Sequence, residues 1–124
     1  METILIVEDN PRMQETLSTV LRLKGFHTLT AYNGLEALEV LRLRTPDLVL
    51  LDLMMPVMSG LELLKVLRET AQWKDLPVVV LSARDDFGAE LREFGVIDYL
   101  VKSRYSVNDL LHHIRKNLRR VAAA

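Results

Sequence analysis

The stretch Thr3-Ile4-Leu5-Ile6-Val7-Glu8-Asp9-Asn10-Pro11 holds a complete strand-to-helix transition in nine residues. Ile4 to Val7 is a continuous apolar, mostly β-branched run, the form expected of a strand covered by helices on both faces. Asn10 followed by Pro11 reads as a helix N-cap with proline at the first helical position, where the missing N–H costs nothing. Between them stand two acids, Glu8 and Asp9, at the carboxyl end of the strand.

The same grammar recurs along the chain. Apolar runs predict strands over 3–7, 27–32, 47–51, 76–81 and 96–101, and each is followed by a segment of helical period. That alternation is the pattern of βα units wound around a parallel sheet. Ser59-Gly60-Leu61-Glu62 reads as a capping box, with Asn33 and Glu36, and Ser106 and Asp109, as looser versions. In the last helix Val107, Leu111, Ile114, Leu118 and Val121 repeat at spacings of four and three, which lays one apolar stripe on the sheet. The expected fold is α/β: a five-stranded parallel sheet, order 2-1-3-4-5, flanked by five helices. One domain over 1–121 accounts for the chain, with 122–124 as a terminal tail.

The composition fits one globular domain and excludes several classes. The 124 residues are 49% hydrophobic and 27% charged, enough apolar content for a single core. No apolar run approaches the roughly 20 residues a membrane-spanning helix needs. The first residues, Met-Glu-Thr, place no basic region before the apolar run, so no secretory signal and a cytoplasmic location are expected. The absence of cysteine rules out disulfides, thiolate metal sites and cysteine nucleophiles. Residues 102–124 carry six Lys/Arg against one acid. With no interleaved aromatics and a pI of 6.3, that run reads as a solvated helix face, and no direct nucleic-acid binding is expected.

The chemistry is written at the strand ends. Glu8 and Asp9 follow the first predicted strand, Asp52 the third, Ser82 the fourth and Lys102 the fifth. In a parallel sheet these positions share one rim, the edge where open α/β folds bind ligands. If the order is 2-1-3-4-5, the first and third strands are neighbours and three carboxylates meet. Their mutual repulsion calls for a cation, and hard carboxylate oxygens suit Mg²⁺, which accepts phosphate oxygens as further ligands. Glu8 and Asp9 are then the metal holders. Asp52 keeps an oxygen free as nucleophile toward a phosphoryl group, with Lys102 and Ser82 placed to neutralise the transferring oxygens.

These residues at these spacings resemble the receiver domain of two-component response regulators, the CheY-like family. The likeness runs from Ile4-Leu5-Ile6-Val7-Glu8-Asp9 through Leu50-Leu51-Asp52-Leu53-Met54-Met55-Pro56 and Gly60 to Ser82-Ala83 and Tyr99-Leu100-Val101-Lys102. The resemblance implies that Asp52 takes phosphate from the phosphohistidine of a sensor histidine kinase or a phosphotransfer protein. It implies that the Met54 backbone carbonyl joins Glu8, Asp9 and Asp52 on Mg²⁺, and that Lys102 pairs with the phosphate. It further implies a switch in which Ser82 moves toward the phosphoryl group and Tyr99 turns inward, altering the face of the fourth helix, fifth strand and fifth helix. A chain of this kind is not an enzyme on other substrates; it catalyses only its own phosphorylation and dephosphorylation. The segment from Ser106 to Arg120 is similar to the last receiver helix of OmpR-like regulators, which implies homodimerisation through the same face using residues such as Asp98 and Arg115.

Two departures from the family pattern stand out. Ser103 occupies the position after Lys102 where proline in a cis peptide is usual, so a trans bond and a re-routed loop are expected. The stretch around Arg84 to Glu93 is about two residues short of the family pattern, which places the change on the fourth helix. Together these motivate an alternative, a phosphorylation-independent interaction module on the same fold. A flavodoxin-like FMN site is excluded by the acids where its phosphate would sit, and a haloacid-dehalogenase-like phosphatase by Met54 where its second acid would stand. Met54 and Arg84 flank the path expected for a hydrolytic water. Met55 and Met58 read as loop packing, His112 and His113 as surface residues pointing about 100° apart, and Trp73 as a loop residue at the far rim.

Overall fold

The computed structural model describes residues 1–83, 88–96 and 98–123, with 120–123 as backbone. Ten elements follow one another: β1 (Thr3–Val7), α1 (Pro11–Leu23), β2 (His27–Ala31), α2 (Gly34–Leu43), β3 (Leu48–Asp52), α3 (Gly60–Glu69), β4 (Val78–Ser82), α4 (Gly88–Glu93), β5 (Tyr99–Val101) and α5 (Val107–Ala123). All sheet pairings are parallel and the order is β2-β1-β3-β4-β5, as expected from the sequence.

The strand period of two divides the interior into two cores. Leu5, Val7, Val49, Leu51, Val78 and Val80 face Ala37 and Leu41 of α2, Leu63, Leu64 and Leu67 of α3, and Leu91 of α4. The alternate residues Ile4, Ile6, Leu48, Leu50, Val79 and Leu81 face Leu17 and Leu21 of α1 and Leu110, Leu111 and Ile114 of α5. Every residue of β1, β3 and β4 is therefore buried, which is why those strands read as unbroken apolar runs.

Helix starts are fixed by side chains that satisfy otherwise unbonded N–H groups. The Asn10 side chain accepts from Arg12 and Met13 N–H. Asn33 accepts from Glu36 N–H at 2.9 Å, and the Glu36 carboxylate accepts from Tyr32 N–H at 3.0 Å. Ser106 and Asp109 form the full reciprocal box, each side chain accepting from the other's N–H. At Ser59 the hydroxyl accepts from Glu62 N–H.

Several expected boundaries move: β2 ends at Ala31 rather than 32, and β3 runs over Leu48–Asp52 rather than 47–51. β5 begins at Tyr99, because Val96 N–H bonds to Leu91 O and closes α4; Ile97, inside the expected strand, lies outside the described residues. β4 begins at Val78, after Pro77, which has no N–H for a ladder. The helix of α5 runs through 122 and 123, expected as tail, and Ala124 lies outside the described residues. The stripe of α5 is also corrected: Leu110 is buried while Val107, the first helical residue, is 45% exposed, and the side chain of Val121 lies outside the described residues.

Candidate functional site

β1 and β3 are direct neighbours with Val7 opposite Leu51, so the chain leaves both strands at the same level of the rim. Glu8 and Asp52 are each 1% exposed, and carboxylate oxygens of Glu8, Asp9 and Asp52 all lie within 4.8 Å of one another. Lys102, at the end of β5, places its Nζ 2.7 Å from Glu8 Oε1 and 3.2 Å from Asp52 Oδ2. One ammonium thus spans two buried carboxylates, and the acids still outnumber the cation.

The backbone holds these groups in place. Met54 N–H donates to Asp52 Oδ1 at 3.1 Å, and Asn10 N–H to Glu8 Oε2 at 3.2 Å. Lys102 N–H donates to Ser82 O at 2.8 Å, so β4 and β5 deliver Ser82 and Lys102 to the rim together. Ser82 is fully buried. Tyr99 is half-buried against the core on the α2–α4 side. Burial alone would lower the Lys102 pKa, but its hydrogen bond to Glu8 and the charges of Asp52 and Glu8 outweigh that and hold it above its ordinary 10.5.

Gly60 makes the turn around Asp52. Its N–H donates to Leu53 O at 3.0 Å, and a Cβ there would stand 2.6 Å from Asp52 O and from Leu53 Cα. Only glycine lets α3 start against the end of β3. Within the same loop Val57 takes φ 72°, a left-handed conformation costly for a β-branched residue, and Met58 N–H closes onto Pro56 O at 2.9 Å.

The sequence reading missed two residues that shape this pocket. Gln14, 2% exposed on α1, donates through Nε2 to Ile6 O and Ala31 O at 3.0 Å and to Glu8 O at 3.4 Å, bracing the chain beneath Glu8. Its signal was a polar residue in register with Leu17 and Leu21 on the buried stripe of α1. Tyr105 packs partly buried against the core on the α1–α5 side; burial raises its pKa above 10.0, with Lys102 opposing and Glu8 adding to the rise.

Other expectations are settled by position. No cis peptide occurs among the described residues, so the bond after Lys102 is trans as expected for Ser103, and the chain there turns with Arg104 N–H on Val101 O at 2.9 Å. Arg84 lies outside the described residues; Met54 is 50% exposed at the pocket mouth. His113 is not a plain surface residue: it is half-buried, its Nδ1 3.8 Å from Asp98 Oδ2, because α5 turns it toward β5. Asp98 also meets Lys116 at 2.9 Å, and Arg115 faces the other way, into a cleft with Lys24 and Phe26.

A parallel sheet of this order, with three acids and a lysine on its carboxyl rim, defines a class, and the family comparison agrees with it. Residues 4–115 match the response regulator receiver domain, and the chain belongs to that family, the phosphoacceptor modules of two-component signalling. Among relatives it is similar to the response regulator MprA of Mycobacterium sp. (strain KMS), 38% identical over 121 residues, covering 96% of this chain and 51% of that protein. The chain spans about half the length of the curated relatives it matches. Among solved structures it is similar to the receiver domain of a signal transduction histidine kinase from Syntrophus aciditrophicus, with TM-score 0.89, 32% identity and coverage of 98% and 92% of the two chains. It is also similar to response regulator protein TrrA of Thermotoga maritima in complex with Mg²⁺-BeF, with TM-score 0.83, 34% identity and coverage of 94% and 98%. Among the described residues no helix is long and apolar enough to cross a membrane.

Proposed function

We propose that Asp52 is the phosphoacceptor and that a sensor histidine kinase or phosphotransfer protein supplies the phosphoryl group. The observation that carries this reading is a buried Asp52 whose carboxylate faces the Lys102 ammonium at 3.2 Å and shares a 4.8 Å cluster with Glu8 and Asp9. An Asp52 oxygen attacks phosphorus as the P–N bond to the donor imidazole breaks; the imidazole leaves with the bonding pair and takes a proton, and an acyl phosphate remains. Lys102 binds the transferred oxygens by charge and hydrogen bonding, and the Met54 N–H keeps the Asp52 carboxylate oriented.

The donor set fits Mg²⁺: hard oxygens from Glu8, Asp9 and Asp52, joined by the Met54 carbonyl, around a site where, among the described residues, the three acids exceed the Lys102 charge. The ion, when bound, would neutralise phosphoryl oxygens as charge spreads over them. Ser82 and Tyr99 are the switch pair, transmitting phosphorylation of Asp52 to the face of α4, β5 and α5, and that face is the candidate homodimer contact. The chain acts in the cytoplasm and turns over only its own phosphate.

Acetyl phosphate with Mg²⁺ should add one phosphoryl mass to the chain, and Asp52→Asn should abolish the addition. No uptake by the unmutated chain would instead favour a phosphorylation-independent module.

A further inference from the structure

Arg68 lies in the last turn of α3, at the opposite end of that helix from Gly60, which sits against Asp52. Its guanidinium is half-buried and bonded entirely to backbone carbonyls. Nε donates to Phe94 O at 2.6 Å, and Nη1 is shared among Leu76 O at 2.8 Å, Lys74 O at 3.2 Å and Trp73 O at 3.3 Å. Two of these segments are the turn before β4 and the residue just after α4. Burial lowers the Arg68 pKa while the charge of Asp75 opposes the fall, yet a guanidinium keeps its proton across the working range.

Among the described residues, the two ends of α4 meet different neighbours. At the carboxyl end Gly95 takes φ 76°, Gly95 N–H bonds to Arg92 O at 3.1 Å and Val96 N–H to Leu91 O at 2.9 Å, a left-handed helix stop. Leu91 and Val96 are buried in the core, and Arg68 adds its short charged hydrogen bond to Phe94 O. At the amino end sits Gly88, where a Cβ would lie 3.8 Å from Tyr99 Oη and 3.9 Å from Tyr99 Cε1. The side chain assigned to switching thus abuts the start of α4, while the far end is tied to α3 and the β4 turn.

We propose that Arg68 is a positioning residue that anchors the carboxyl end of α4, so that switching moves α4 as a lever about Phe94 and Gly95, with displacement greatest at Gly88. The lever rests on the phosphoacceptor reading above; the anchor does not. Moving Phe94 away would strip a charged, half-buried donor of its shortest bond, whereas Gly88 has no side chain to resist a rotating tyrosine.

Amide hydrogen exchange and amide chemical shifts of the whole chain, without and with Mg²⁺ and beryllofluoride, test both parts. In the ligand-free chain, Arg68→Met should speed exchange at Phe94, Gly95 and Val96 by about tenfold or more and leave Leu53 and Met54 unchanged. If core amides such as Leu50 and Val80 loosen as well, Arg68→Lys must show the local pattern in milder form. Unchanged exchange at 94–96 overturns the anchor. On adding beryllofluoride, the unmutated chain should shift Leu53 and Met54, then Gly88 to Glu90 and Tyr99, and far less at 94–96; in Arg68→Met the shifts should spread into 94–96. Equal shifts at both ends of α4 overturn the lever. Silence at Leu53 and Met54 overturns the phosphoacceptor reading, and the lever falls with it, while the exchange data still decide the anchor.

Discussion

Single residues carry the site's chemistry and its strain. The acids and Lys102 were legible because each follows an apolar strand, a placement that needs no knowledge of side-chain packing. Gln14 was not, because three carbonyls from two strands converge on it only after folding. His113 was misread for a similar reason: two adjacent helical positions look alike in sequence, and only the approach of β5 singles out the one that meets Asp98. Val57 was also silent, since its identity suggests a strand residue while the turn beside the pocket demands φ 72°. It is 71% exposed, so little packing opposes its replacement. Val57→Gly should stabilise the chain by about 1 kcal/mol, the relief of left-handed strain less the added freedom of glycine in the unfolded state. A urea titration should show a higher midpoint at unchanged slope.

At the level of elements, caps and close approaches decide where helices start. The five parallel strands followed from the alternation of patterns and their order from the family resemblance, but the short β5 followed from neither, because Val96 carries a strand-like side chain while its N–H serves the end of α4. The reciprocal box at α5 predicts that Ser106→Ala costs about 1 kcal/mol. Backbone and side-chain bonds from Ser106 hold the Asp109 carboxyl below its ordinary 3.8. Ser106→Ala keeps the backbone N–H bond and removes only the hydroxyl, so the Asp109 value should rise only in part and stay below the ordinary one, read by an NMR titration of its carboxyl. Gly60 is the stricter case, since the atoms a Cβ would meet belong to backbone and cannot rotate away. Gly60→Ala should therefore destabilise by about 2 kcal/mol and slow phosphoryl uptake, because the collision is with Asp52 itself. Chemical denaturation and acetyl phosphate labelling measure the two effects.

Across the whole molecule, stability should depend on alkaline pH through two groups at one corner. Lys102 and Tyr105 both hold their protons more tightly when folded than their ordinary values of 10.5 and 10.0 allow. The folded state then binds more protons than the unfolded one once pH passes about 10, so stability present below that point is lost as pH rises further. Melting temperatures from pH 8 to 11 should fall at the top of the range, and Lys102→Met with Tyr105→Phe should flatten the decline. The sheet itself has a wider consequence. It works as a septum: neighbouring residues of β1, β3 and β4 serve separate chambers, so the α1–α5 side and the α2–α4 side can drift independently over mutational history. At the carboxyl rim Glu8, Asp52 and Lys102, at the ends of three different strands, are tied to one another, so a change at any of them is felt across the septum's edge.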